Sequence, residues 1–274
     1  MDTSRADLPL VSALFITYKR FEHLRRAVES FRRNTDYRSL EIVIADDGSG
    51  PEIQERIRSL PADRFALAET NCGLGANNNA GVRLCSGKYV LMIQDDWVCR
   101  GPAEYLRNAV LVMEANPDVG VINFAGAGNP PDLKQPLSGS SEPCYVTPHP
   151  GEVEGNGYLY SDQPHLQSME SLRFVGPYRE KAADDVSRSE VYYARLWEAQ
   201  TKYSTAVFPA YHLKTFQFDE TAGSFRLTTF KNRNVAALLP IAQWLKRFCW
   251  PVYWLGRAAF YSVVRLLELA HLVR

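Results

Sequence analysis

Two stretches decide the fold: LEIVIADDGSG at residues 40–50 and GKYVLMIQDDW at residues 87–97. Each is a short apolar run that ends abruptly in a pair of aspartates. Such a run, with little polar alternation, reads as a strand buried on both faces, the habit of parallel sheets. Working outward, residues 10–17 (LVSALFIT) repeat the pattern, and 64–69 and 119–124 supply further strands. Helical spacing fills the gaps. Leu24, Ala27, Val28 and Phe31 mark a helix over 21–33, and Pro51 opens one over 51–60 from a favoured first-turn position. Residues 76–86 and 103–115 read as two more helices. Repeated β-α-β units predict a mostly parallel sheet flanked by helices, with ligands gathered where strands end.

The remainder of the chain is organised differently. Residues 126–165 hold seven of the sixteen prolines, so a long irregular loop or lid is expected there. A helix over 187–202 and a strand over 205–210 follow. The chain has 274 residues, 46% hydrophobic and 23% charged, which excludes wholesale disorder. Lys+Arg and Asp+Glu are both 31, so no global charge points to nucleic acid. The balance hides an asymmetry: residues 231–274 carry seven Lys/Arg and one acid, leaving an acidic body. The expected division is therefore a catalytic body over 1–230, with halves at about 8–125 and 126–230, and a tail over 231–274. Five scattered cysteines without a CxxC pair suit free thiols in a reducing compartment. MDTSRADLPL has no apolar core of a secretory signal, and the expected location is cytoplasmic.

Asp46-Asp47 and Asp95-Asp96 carry the chemistry. Neighbouring carboxylates repel unless a cation or hydrogen-bond donors compensate. Mg²⁺ or Mn²⁺, held by one or two carboxylates plus phosphate oxygens, fits such a site. An aspartate pair in a turn also caps helices, so each pair alone has a structural alternative.

In order, TYKR (17–20), IADDGSG (44–50), NCGLGANNNAGV (71–82) and GKYVLMIQDDW (87–97) resemble glycosyltransferase family 2. That resemblance implies a GT-A fold and an inverting enzyme that uses a nucleotide-diphospho-sugar, with UDP the commonest nucleotide. It gives Thr17 and Tyr18 to the nucleobase pocket and Asp46, with Asp47, to the base or ribose. Gln94-Asp95-Asp96 matches the DxD-type motif, with Asp96 the metal ligand and Asp95 facing ribose or metal. Asn78 and Asn79 stand where many relatives carry Arg-Asn, which removes one diphosphate contact. Over 174–200 the resemblance gives Glu190 the role of catalytic base, with Asp184 and Asp185 as competitors. His212 would add a metal or diphosphate contact. The implied acceptor is a hydroxyl of a cell-surface or lipid-linked glycan.

In the tail, Ile241, Trp244, Leu245, Phe248 and Cys249 fall on one helical face, and Val252, Leu255, Ala259, Val263, Leu266, Leu267 and Ala270 make a second stripe. Basic, aromatic-rich amphipathic segments suit an anionic membrane surface at the cytosolic face. The same faces would also pack on the body or on a second copy, giving a homo-oligomer. Two rival readings are a nucleotidyltransferase and a catalytically silent sugar-binding scaffold. The first lacks a basic Gly-rich phosphate loop in LFITYKRFEHL; the second leaves both acid pairs without a purpose.

Overall fold

The structure, a computed structural model, describes residues 8–125, 136–147, 160–180, 186–200, 202–212 and 214–219. Compact packing divides the chain into Met1–Asp219 and Glu220–Arg274, and every described element belongs to the first unit. The tail, Asp184, Asp185 and most of the expected 126–165 loop lie outside the described residues.

The first half follows the alternation read from the sequence. Strands β1 (Val11–Thr17), β2 (Leu40–Asp46), β3 (Arg64–Leu67) and β4 (Tyr89–Gln94) alternate with helices α1 (Phe21–Asn34), α2 (Pro51–Arg58) and α3 (Leu74–Leu84). Strand β5 (Trp97–Cys99), helix α4 (Tyr105–Ala115) and strand β6 (Val119–Asn123) come next. The second half contains β7 (Tyr145–Val146), β8 (His165–Ser168), α5 (Met169–Val175), α6 (Val186–Ala199), β9 (Ser204–Val207) and β10 (Phe216–Phe218). The main sheet has eight strands in the order β3-β2-β1-β4-β8-β6-β9-β7, and β10 pairs with β5 in a second sheet.

β1 runs parallel to both β2 and β4, in registers that set Thr17 opposite Asp46 and Ile16 opposite Gln94. The ends of all three strands therefore meet at one edge, with β1 in the middle. β8 departs from the sequence expectation: it lies antiparallel between β4 and β6, starting at the last residue of the stretch expected to be irregular and in a segment given no strand. Its residues explain the miss. His165 and Gln167 are both fully buried, so the strand is polar in composition yet central in position. β5, β10 and α5 are also absent from the sequence reading, being only three to seven residues long.

Alternation along the strands builds a core on each face of the sheet. Ala13, Phe15, Ile42, Ile44 and Leu91 pack with Leu24, Val28 and Phe31 of α1 and Leu106 of α4. Leu14, Val43, Val90 and Met92 point the other way, into a cluster with Tyr178, Tyr193 and Trp197. Helix α3 approaches this second face closely at Gly81. A Cβ there would stand 2.5 Å from Leu14 Cδ1 and 3.1 Å from Ala45 Cβ. Leu14 is fully buried, so it can yield only by shifting its neighbours within the core.

Gly81→Ala should therefore destabilise the chain by about 1–3 kcal/mol through overpacking. On an exposed helix the same change stabilises by up to about 1 kcal/mol. Urea unfolding of the two chains decides the sign, and a stabilised variant would refute the close docking of α3.

Candidate active site

The acids form around the end of β1. Thr17 Oγ1 donates to Asp95 Oδ2 at 2.7 Å, while the Thr17 carbonyl accepts from the Asp47 amide at 3.1 Å. The Asp95 amide in turn donates to the carbonyl of Ile16 at 3.0 Å. One residue of the central strand thus ties the two acidic turns together. Asn77 reinforces the junction from α3: its Nδ2 donates to the carbonyls of Thr17, at 3.3 Å, and Ala45, at 3.1 Å. The sequence reading passed over Asn77 in favour of its two neighbours. Its signal was an amide-rich run at the start of a helix that faces strand ends.

The two pairs differ in what they are free to do. Asp46 is fully buried and accepts from the Ser49 amide at 2.9 Å, from the Ser49 hydroxyl, and from Gln54 Nε2 at 2.9 Å. Asp47 accepts from the amides of Cys72 at 2.7 Å and Gly73 at 3.0 Å, just ahead of α3. Burial nonetheless holds the Asp47 carboxyl above its ordinary range. Both side chains organise loops. The turn beneath them needs Gly48, whose φ is 75°; a Cβ there would lie 2.3 Å from the Thr70 backbone.

Asp95 and Asp96 are the less satisfied pair. Burial pushes the Asp95 carboxyl up to about 6, against the pull of Thr17 and Arg20. Asp96 is raised by the same cause, and its Oδ1 is buried without a hydrogen-bond partner. Arg20 Nη1 lies 3.3 Å from Asp95 Oδ1 and 3.3 Å from Asp96 Oδ2. Arg20 was not singled out from the sequence. It reaches the acids because Lys19 turns the chain through the left-handed region, φ 58°, with its amide on Ser49 Oγ at 2.7 Å. Tyr18, half-buried beside this turn, stands at the mouth of the same edge.

These residues fit a hard divalent ion. An orphaned buried carboxylate oxygen is a ready ligand, and a positive charge would relieve two desolvated acids. Among the described residues no three His, Cys, Asp or Glu side chains cluster to form a closed metal cage. An ion here would have Asp96 and Asp95 from the protein and would depend on phosphate and water oxygens for the rest, which is how Mg²⁺ and Mn²⁺ are commonly held. His212 sits in the turn after β9, its amide on the Phe208 carbonyl at 2.8 Å. The following strand, β10, pairs with β5 directly beyond Asp96, and the Asp219 amide donates to the Asp96 carbonyl at 2.7 Å. Trp97 packs there edge-on against Phe218.

Asn78 and Asn79 separate. Asn78 is buried with Oδ1 unpartnered. Asn79 turns to the second half instead: Nδ2 donates to the Tyr178 carbonyl at 2.9 Å and Glu180 Oε1 at 2.8 Å, and Oδ1 accepts from the Tyr178 amide at 2.9 Å. Glu190, on α6, lies beyond this bridge. Its Oε1 accepts from Ser161 Oγ and from the Asp162 amide, each at 3.2 Å. Tyr193 and Trp197, on the same helix, anchor it in the core, with Tyr193 stacked on Tyr178 at 4.1 Å. Asp162, like Asn77 and Arg20, was not singled out from the sequence. It is buried with both carboxylate oxygens unpartnered, and burial, then the charge of Glu190, holds its proton well above the ordinary carboxylate range. Nothing in a lone aspartate near a proline-rich loop marks it.

His165, the first residue of β8, is fully buried; burial brings its ring down to about 4. Its Nδ1 meets the Gln163 carbonyl at 2.8 Å. The folded chain therefore keeps a neutral imidazole while the unfolded chain takes up a proton below its ordinary value near 6.5. Stability contributed by neutral His165 is present above about 6.5 and lost as pH falls toward about 4, by up to about 3 kcal/mol. Urea unfolding between pH 7 and 4.5 should show a flatter profile for His165→Asn than for the unaltered chain. Parallel profiles would contradict the buried neutral ring.

Residues 12–175 match the profile of Glycosyl transferase family 2, more than half of the chain. The chain is 29% identical over 94 residues to the GalNAc(5)-diNAcBac-PP-undecaprenol beta-1,3-glucosyltransferase of Campylobacter jejuni, covering 32% of this chain and 30% of that one. It spans 35% or less of the length of the first curated relatives that it matches. Among solved structures it resembles the mannosyltransferase PcManGT of Pyrobaculum calidifontis, in complex with GDP-Man and Mn²⁺. The TM-score is 0.51 at 18% identity, over 74% of this chain and 55% of that one. TarS 1-349 of S. aureus, in complex with UDP, gives 0.52 at 17%, over 72% and 57%. At such identities the likeness is one of fold, and it matches the GT-A expectation.

Proposed function

The chain belongs to glycosyltransferase family 2, and from that premise we propose that it is a metal-dependent inverting glycosyltransferase, moving a sugar from a nucleotide-diphospho-sugar to a glycan hydroxyl. The observation that carries the proposal is the Asp95-Asp96 pair at the end of β4, with one buried, unpartnered oxygen on Asp96. An isolated aspartate pair in a turn would cap its own loop, as Asp46 and Asp47 do. Asp95 and Asp96 instead face an arginine.

In this reading Thr17 and Tyr18 line the nucleobase pocket, with Asp46 and Asp47 shaping it by fixing the loops at 48–50 and 70–73. Asp96 is the direct ligand of Mn²⁺ or Mg²⁺, Asp95 faces the ribose or the ion, and His212 adds a contact from the β9–β10 turn. Bound there, the ion neutralises charge on the departing nucleoside diphosphate. The acceptor hydroxyl attacks the anomeric carbon, the bond from that carbon to the phosphate oxygen breaks, and the hydroxyl proton passes to Glu190. Ser161 and the Asp162 amide both hold Oε1 of Glu190, which orients its carboxylate for that role. Asp185, outside the described residues, is the alternative base. The nucleotide is UDP in this proposal, although the two structural neighbours carry GDP-Man and UDP respectively. A lipid-linked glycan acceptor is supported by the name of the Campylobacter relative and by the basic amphipathic stripes of 235–274. No helix among the described residues is long and apolar enough to cross a membrane.

Asp96 and Glu190 should fail differently. Asp96→Asn should abolish transfer and remove Mn²⁺-dependent strengthening of nucleotide binding. Glu190→Gln should lower kcat by roughly 10²–10⁴-fold with nucleotide affinity nearly unchanged, because its interaction matures only in the transition state. Calorimetry with UDP and GDP, beside initial rates, separates the two profiles. Normal turnover in the Asp96 variant would sink the metal assignment, and Glu190→Gln turning over normally would return the base to Asp185.

Full-length protein should co-sediment with anionic liposomes, and a chain ending at Asn234 should not, since each basic residue near such a surface contributes about 1 kcal/mol. Equal sedimentation would refute membrane anchoring by residues 235–274.

A further inference from the structure

Arg20 is the one described cation bridging the unsatisfied acids, and its geometry is peculiar. A single nitrogen, Nη1, stands 3.3 Å from a carboxylate oxygen of each aspartate. Charge-assisted arginine–carboxylate contacts are normally closer, and the strong ones are two-pronged forks. Arg20 therefore balances charge without being locked by it. Its side chain is 27% exposed, while those of Asp95 and Asp96 are 7% and 16% exposed. Asp95 is fixed from below by Thr17 Oγ1 at 2.7 Å, whereas among the described residues the side chain of Arg20 is held only by the two long contacts to the acids. It also lines a cavity of about 310 Å³ with Lys19, His23 and Arg56, where the acid is Glu22. Glu22 is already paired to Arg25 and Arg56.

Two cations cannot share these oxygens comfortably. A divalent ion on Asp96 would lie within a few ångströms of the guanidinium, and like charges at that range repel strongly in a partly buried site. The arginine then needs a new anion. A diphosphate is the fitting one, because the planar guanidinium matches phosphate oxygens in a fork. Asn78 and Asn79 carry no charge to offer a diphosphate, and Asn79 is spent on Tyr178 and Glu180.

We propose that Arg20 is an internal counter-cation that holds the Asp95-Asp96 pair until the divalent ion displaces it, and that it then binds the diphosphate of the incoming nucleotide. This rests on the metal-dependent donor site proposed above and assigns it an order of loading. Arg20 contributes opposite signs to the two ligands: it weakens the binding of metal alone and strengthens the binding of nucleotide once metal is present.

The test uses the full chain, with Mn²⁺ alone and then UDP and GDP at saturating Mn²⁺ as probes. Free Mn²⁺ is read by electron paramagnetic resonance and nucleotide binding by calorimetry. Arg20→Met should bind Mn²⁺ alone about tenfold more tightly than the unaltered chain, yet bind the preferred nucleotide about tenfold more weakly. Arg20→Lys, which keeps the charge and loses the fork, should stay near the unaltered chain for Mn²⁺ and lose nucleotide affinity. In the unaltered chain the Arg20 Nε–H resonance, assigned by comparison with Arg20→Lys, should shift with Mg²⁺ alone and again with nucleotide, a readout that needs no folded Met variant. Unchanged or weaker Mn²⁺ binding by Arg20→Met, or a resonance indifferent to Mg²⁺ while Mn²⁺ binds, would overturn the proposal and leave the donor site standing. Nucleotide binding that ignores Mn²⁺ in both chains would instead remove the metal-dependent site itself, and this inference with it.

Discussion

The hydroxyl of Thr17 on the carboxylate of Asp95, at 2.7 Å, is the contact around which the rest of the site is arranged. It exists because β1 lies between β2 and β4 in parallel register, so that three strand ends and both acid pairs converge on one residue. The same threonine supplies a carbonyl to the Asp47 amide and to Asn77. Parallel pairing thus does more than form a core. It concentrates carboxylates that would repel one another, and the surrounding amides and hydroxyls decide which of them are neutralised and which remain available.

That division is the physical basis of the functional reading. Asp46 and Asp47 are each met by donors from their own loops, so their charge is absorbed in shaping the turn at Gly48 and the start of α3. Asp95 is almost as deeply buried and Asp96 partly so, but they face a loosely held arginine and keep an orphaned oxygen. Buried charge without a partner is costly, and it is tolerated where a ligand supplies the partner. A second unsatisfied carboxylate, Asp162 beside Glu190, lies in the other half of the described fold, across the bridge from Asn79 to Tyr178.

Much of this was legible from the sequence, for identifiable reasons. Strands such as LFIT, LEIVIA and YVLMI are apolar on both faces, so periodicity and termination in Asp-Asp locate them and their functional ends. β8 was invisible because two of its three buried residues are the polar His165 and Gln167, held in part by the Gln163 carbonyl and the Tyr193 hydroxyl rather than by apolar character. The roles of the acids were only half readable. A pair of aspartates announces itself, but whether its oxygens are occupied depends on Ser49, Gln54 and Gly73, which local spacing does not reveal. Arg20 and Asp162 matter through contacts 75 and 28 residues away in sequence, and no local pattern marks them.

The claim that the end of β4 is the donor-binding centre is tested most directly by anomalous diffraction at the manganese edge. Crystals of the full chain would be soaked with Mn²⁺ together with UDP or GDP. A manganese peak against the Asp96 carboxylate, with the diphosphate on the same ion and the base toward Thr17 and Tyr18, is the expected result. A nucleotide bound away from the β1–β2–β4 edge, or manganese remote from Asp95 and Asp96, would contradict it.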